Sequence, residues 1–104
     1  MASELFIKRK LFSALIPKLL IKMGETHIPL IGKDGMKHMT NSLHYDGLAM
    51  DIDLFDKDNN YLLDTENHKV FGEYWKALHL DCRCGGDFKK PDGNHYSILY
   101  QGRQ

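Results

Sequence analysis

Along the chain the spacing of apolar residues changes from a period near three and a half to a period of two and back again. In the first quarter, Phe12, Leu15, Ile16, Leu19, Leu20 and Met23 recur at intervals of three and four, which places them on one stripe of an α-helix. Gly24 is the expected stop, and Ser3 is a suitable N-cap for an earlier turn through Phe6. Pro17 predicts a kink or the start of a second half, because its ring removes a hydrogen bond and crowds the preceding turn. Over residues 47–55 the period falls to two: Leu48, Met50, Ile52 and Leu54 alternate with Ala49, Asp51 and Asp53, the pattern of a strand with one apolar face. Asp51 and Asp53 therefore share the polar face. A second helical stripe follows in Val70, Phe71, Tyr74, Trp75 and Leu78, with Asp64 or Thr65 as its cap. Residues 94–101 alternate again, with His95, Ser97 and Leu99 on one side and Tyr96, Ile98 and Tyr100 on the other.

Between these elements the signals are weaker. Residues 26–31 (THIPLI) read as a short strand that Pro29 makes an edge or an irregular piece, and Gly32, Asp34 and Gly35 read as a turn. The acidic run at residues 56–60 predicts a hairpin or a longer connection into residues 61–63. It looks like the start of a calcium loop, but Tyr61 stands where that loop needs glycine and Asn67 where it needs glutamate. The expected fold is α+β: a single domain spanning residues 1–104, in which two helices pack on a small antiparallel sheet. The Asp51 strand and the His95 strand are expected side by side in that sheet.

Charge narrows the partners. Fourteen basic and fourteen acidic residues cancel, which argues against nucleic-acid binding driven by bulk charge. Lys8, Arg9, Lys10, Lys18 and Lys22 read as a solvated helix face rather than a membrane anchor. Pro17 and Lys18 interrupt the apolar run and no small-residue cleavage site follows, so neither a signal peptide nor a stable membrane insertion is expected. The two cysteines, Cys82 and Cys84, are too close in sequence to pair comfortably; reduced thiols in a strand or turn, and synthesis in the cytosol, are expected.

Candidate chemistry centres on SLHYDGLAMDID, residues 42–53, which sets His44 and Asp51 on either side of Gly47. A glycine there lets His44 fold back towards Asp51. Much later, Asp92 and His95 stand three apart. Two imidazoles, one carboxylate and a water make a four-coordinate catalytic zinc site with one exchangeable position, which leaves Asp92 available as a base. Gly85 and Gly86 suggest a close backbone approach beside the site, and Asp87 is expected to orient a ligand histidine. His27 and His38 sit in no motif and are read as ordinary surface or supporting residues.

In order and spacing, SLHYDGLAMDIDLF, LLDT, GEYWKAL, CRCGGDF and DGNHY resemble peptidase family M15 over residues 40–98. That family comprises zinc D-Ala-D-Ala carboxypeptidases and L-alanyl-D-glutamate endopeptidases, many of them phage endolysins. The resemblance implies a hedgehog/DD-peptidase-like fold, His44, Asp51 and His95 as zinc ligands, and Asp92 as catalytic acid/base. It further implies a monomer that cleaves peptidoglycan stem peptides, L-Ala-D-Glu before D-Ala-D-Ala, made in a host cytoplasm and released to the wall through a holin pore. Three departures stand out: there is no arginine between residues 24 and 44, Cys84 replaces a tryptophan, and Ser97 replaces a glutamate. The missing arginine prompts an alternative, a relative that binds zinc or wall peptide without turnover.

Overall fold

A computed structural model describes residues 3–32 and 42–104. The first element, α1 (Glu4–Gly24), begins where the Ser3 hydroxyl accepts a hydrogen bond from the Phe6 amide at 3.2 Å. A cap of this kind is worth about 1 kcal/mol. The early turn and the later stripe are thus one helix rather than two, and Pro17 lies exposed within it. Leu15, Ile16 and Leu19 are buried around Pro17, so packing carries the helix across the hydrogen bond the ring removes.

Five strands form an antiparallel sheet in the order β1 (Ile28–Ile31), β2 (Ala49–Phe55), β5 (His95–Ile98), β4 (Cys82–Cys84), with β3 (Tyr61–Leu62) also paired to β2. Together with α1 and α2 (Lys69–Leu78) they make an α+β fold. The strand with Pro29 is an edge, as expected from the missing amide donor. The acidic run closes a hairpin between β2 and β3: Asp56 Oδ1 accepts from the amides of Asp58 and Asn60, both at 2.9 Å, and Asn59 adopts a φ of 66°. The Asp56 carboxylate is therefore committed to its own turn, and these hydrogen bonds, Asn60 first, hold its pKa below the usual range.

The core lies between the helices and one face of the sheet. The ring of Trp75 stands edge-on to Phe12 of α1 and to Tyr96 of β5, with centroids 5.8 and 6.4 Å away, and its Nε1 donates to the Ser97 carbonyl at 3.1 Å. Two expectations for this region need correction. Val70 is exposed, so the buried stripe of α2 is Phe71 and Trp75 flanked by Tyr74 and Leu78. Neither Asp64 nor Thr65 caps the helix through its side chain: a 3₁₀ turn over Thr65–His68 leads into α2, and the Thr65 hydroxyl instead accepts from the Gly93 amide at 3.2 Å. Cys82 and Cys84 are free and buried in β4, and burial pushes the Cys82 thiol up to about 12. Among the described residues no helix is long and apolar enough to cross a membrane. The turn expected at Asp34 and Gly35, and His38, lie outside the described residues.

Candidate metal centre

Register places the first two candidate ligands. Asp51 of β2 stands directly opposite His95 of β5, and partners across an antiparallel pair project from the same face of the sheet. His44 comes from the turn just before β2. There the Gly47 amide donates to the His44 carbonyl at 3.2 Å and the Leu48 amide to the Leu43 carbonyl at 3.0 Å, while buried Leu43 and Leu48 anchor the turn at both ends. Gly47 has a φ of +72°, in the left-handed region that glycine enters without a steric penalty. This is the reversal that returns His44 to the strand.

The three side chains meet at a point. His44 Nε2 lies 3.2 Å from His95 Nδ1 and 3.4 Å from Asp51 Oδ1, and His95 Nδ1 lies 3.7 Å from the same oxygen. Donors at about 2.0–2.1 Å from a tetrahedral zinc ion are roughly 3.3–3.4 Å apart, so this triangle has the size such an ion needs. Two imidazole nitrogens and one carboxylate oxygen are also the donor set a borderline metal prefers. Among the described residues this is the group of histidines, cysteines and acids that could hold a metal ion.

The support behind His95 comes from an element with no motif. Its Nε2 lies 2.7 Å from the Gln104 carbonyl oxygen, and the Ser97 hydroxyl donates to the same oxygen at 2.6 Å. A main-chain oxygen accepts only, so His95 donates to it through Nε2 and turns Nδ1 towards the other two donor atoms. Asp87, expected in this supporting role, does not take it: its carboxylate pairs with Lys76 at 2.8 Å and accepts from the Cys84 thiol at 3.4 Å. The Lys76 contact holds the Asp87 pKa below the usual range. A main-chain carbonyl has no residue signature, which is why sequence reading passed over Gln104. The alternation that put Ser97 on the His95 face was the only pointer towards it.

Asp92 occupies an exposed corner ahead of His95 and stands outside the three-atom group. Its main chain is tied down: the amide donates to the Gly85 carbonyl at 2.9 Å, and its carbonyl accepts from the His95 amide at 3.2 Å. A Cβ on Gly85 would lie 1.9 Å from the Asp92 carbonyl oxygen, and one on Gly93 would lie 2.6 Å from Thr65 Cα. Both glycines are required by close approach, and Gly85 rather than Gly86 is the one pressed against the site.

A groove of about 290 Å³ opens beside the ligands, lined by Phe12, Ser13 and Ile16 of α1, by Ile31 and Gly32, and by His44 and Asp51. A second cavity, bordered by Thr65, His68, Gly72 and Cys84, includes none of the three ligand residues. Neither a protein-family model nor a curated protein matches the chain.

Proposed function

We propose that the protein is a zinc metallopeptidase of the M15 type that cleaves peptidoglycan stem peptides, with the L-Ala-D-Glu bond its first target. The observation that carries this reading is the convergence of His44, Asp51 and His95 on one point with interatomic distances of 3.2, 3.4 and 3.7 Å. Bound there, zinc would supply a Lewis acid for the scissile carbonyl and bring the pKa of water down to about 7. Every other part of the reaction falls to the chain. The groove along α1 receives the peptide and aligns its scissile carbonyl with the ligand face. Asp92 takes a proton from the attacking water, the carbonyl carbon becomes tetrahedral, and the C–N bond then breaks as Asp92 returns that proton to the departing amine. Exposure suits this role, since the carboxylate must exchange its proton with a substrate that arrives from solvent.

A second reading, zinc or wall-peptide binding without turnover, is favoured by one sequence fact: no arginine lies between residues 24 and 44. A planar guanidinium there would clamp a substrate carboxylate or steady a developing oxyanion. In the first reading the protein acts as a monomer on the wall, as a phage endolysin made in the host cytoplasm and released through a holin pore.

Purified sacculi, with and without zinc-loaded protein, separate the readings. Release of new amino groups by the wild type, lost in Asp92→Asn, supports the peptidase; zinc retained with no release selects the binder. A wild type that holds no zinc overturns the peptidase, and one that also fails to bind sacculi overturns both.

A further inference from the structure

Two segments carry the imidazoles of the centre, the turn holding His44 and the strand holding His95, and residues 103 and 104 touch both. Past β5 the chain reverses in a tight turn: the amide of Tyr100 donates to the Arg103 carbonyl at 3.0 Å, that of Arg103 to the Tyr100 carbonyl at 2.9 Å, and Gln101 and Gly102 have φ of 49° and 74°. This reversal aims Arg103 at the first segment and Gln104 at the second. Arg103 Nη2 lies 2.7 Å from Asp46 Oδ2, two residues beyond His44, and both side chains are about 30% exposed. The Gln104 carbonyl accepts from His95 Nε2 and Ser97 Oγ at 2.7 and 2.6 Å, using both of its lone pairs.

We infer that residues 100–104 form a positioning clasp that sets the tautomer of His95 and braces the His44 turn, thereby preorganising the metal centre. The inference rests on the metal reading of His44, Asp51 and His95. Its physical basis is linkage. Neutral imidazole carries one proton, and in an isolated ring that proton is shared between the two nitrogens. With the Gln104 carbonyl in place, the proton is fixed on Nε2 and Nδ1 is available as a ligand without rearrangement. The salt bridge to Asp46 holds the carbonyl in place and ties it to the turn that bears the other imidazole. Ser97 shares the carbonyl, so the position where the related peptidases carry a glutamate still serves the same histidine through the tail. By reciprocity, a metal that requires a bare Nδ1 favours the docked tail.

The test uses the full chain and two variants outside the ligand set. A Cβ at Gly102 would meet no atom within 4 Å, so Gly102→Ala acts by disfavouring the positive φ, while Arg103→Ala removes the salt bridge. The metal-free proteins are examined at pH 8 by ¹⁵N NMR of the imidazoles, and zinc affinity is measured by competition with a chelator. The clasp requires a single Nε2–H tautomer for His95 in the wild type and a mixture in both variants. Zinc affinity should drop by about 10- to 100-fold at unchanged melting temperature, the usual range for partners behind a ligand histidine. Arg103→Lys should recover part of that loss. An Nδ1–H wild type, or variants with wild-type tautomer and affinity, overturns the clasp. If the wild type shows the locked tautomer and takes up no zinc, the metal reading fails while the docking of the tail stands.

Discussion

Two buried histidines lie on opposite sides of β5 and do different work. His68 is 4% exposed and its Nδ1 shares a 2.7 Å hydrogen bond with the hydroxyl of Tyr96, which points into the core. His95 is 7% exposed and belongs to the other face, where both ring nitrogens are committed, one to the tail carbonyl and one to the shared point with His44 and Asp51. Burial alone therefore does not distinguish a structural histidine from a candidate ligand. What distinguishes them is whether several lone pairs converge on a space of ionic size or a single partner completes the ring's hydrogen bonding.

The largest effect expected on the ligand side is kinetic. In the proposed peptidase reaction Asp92 is the proton acceptor; Asp92→Asn keeps the shape of the corner and removes it, so kcat on a stem peptide should fall by about 10²- to 10⁴-fold. Zinc content should stay at the wild-type level, because Asp92 lies outside the donor triangle. Parallel metal analysis and turnover on the same preparation check the pair of outcomes; loss of zinc in this variant would move Asp92 into the ligand set.

Asp51→Ala tests the triangle itself. Structural zinc sites bind with roughly 10–16 kcal/mol shared among four contacts, so deleting one donor should weaken zinc by about 10²- to 10³-fold. Chelator competition reads this directly. His68→Gln, made in the 3₁₀ turn on the core side of the sheet, should leave zinc affinity where it was.

His68 makes its own prediction, in pH. Burial pushes its pKa down from 6.5 to about 4, ahead of the opposing influence of Asp53. Above pH 6.5 the ring is neutral folded or unfolded, and stability is at its full value. Between 6.5 and about 4 the unfolded chain takes up a proton that the folded chain refuses, so stability falls as pH falls. The accumulated loss is roughly 3 kcal/mol, from about 1.36 kcal/mol per pH unit. Urea unfolding of the metal-free protein from pH 7 to 4 should show this loss, and His68→Gln should flatten that part of the profile. A variant profile parallel to wild type would place the acid sensitivity elsewhere.

How much of this was legible beforehand follows from the range of the forces involved. The period-two run over residues 48–54 placed Asp51 on a polar face, and the alternation after Asn94 placed His95 and Ser97 together; both hold because strand geometry is local. That these strands are neighbours was expected, and their register turns out to put Asp51 and His95 in direct opposition. Sequence reading failed where a side chain chooses among partners distant in the chain. Asp87 reaches Lys76 rather than a histidine, Thr65 holds Gly93 rather than its own helix, and Gln104 returns to β5. Val70 failed for a related reason: its helical spacing was right, but the width of the buried face depends on what covers it.

The smallest effect concerns the cation that the chain lacks between residues 24 and 44. Arg9 of α1 lies against the His44 turn, its Nε 3.2 Å from where a Cβ on Gly47 would stand. Together with Lys10 and Ser13 it lines a shallow surface that meets the ligand groove at Ser13. Residues 9 and 13 are about one helical turn apart, roughly 6 Å along the axis, so a peptide lying in the groove would bring a carboxylate within reach of the guanidinium. Because Arg9 is exposed, such a pair is worth about 0.4–1 kcal/mol, a two- to fivefold change in binding. Arg9→Ala should therefore raise KM by that factor with kcat unchanged, the pattern of lost uniform binding, and added salt should narrow the gap between variant and wild type. A fall in kcat instead would mean that Arg9 acts on the reacting carbonyl, and that the exposed helix side of the groove shares the chemistry so far assigned to the strand side.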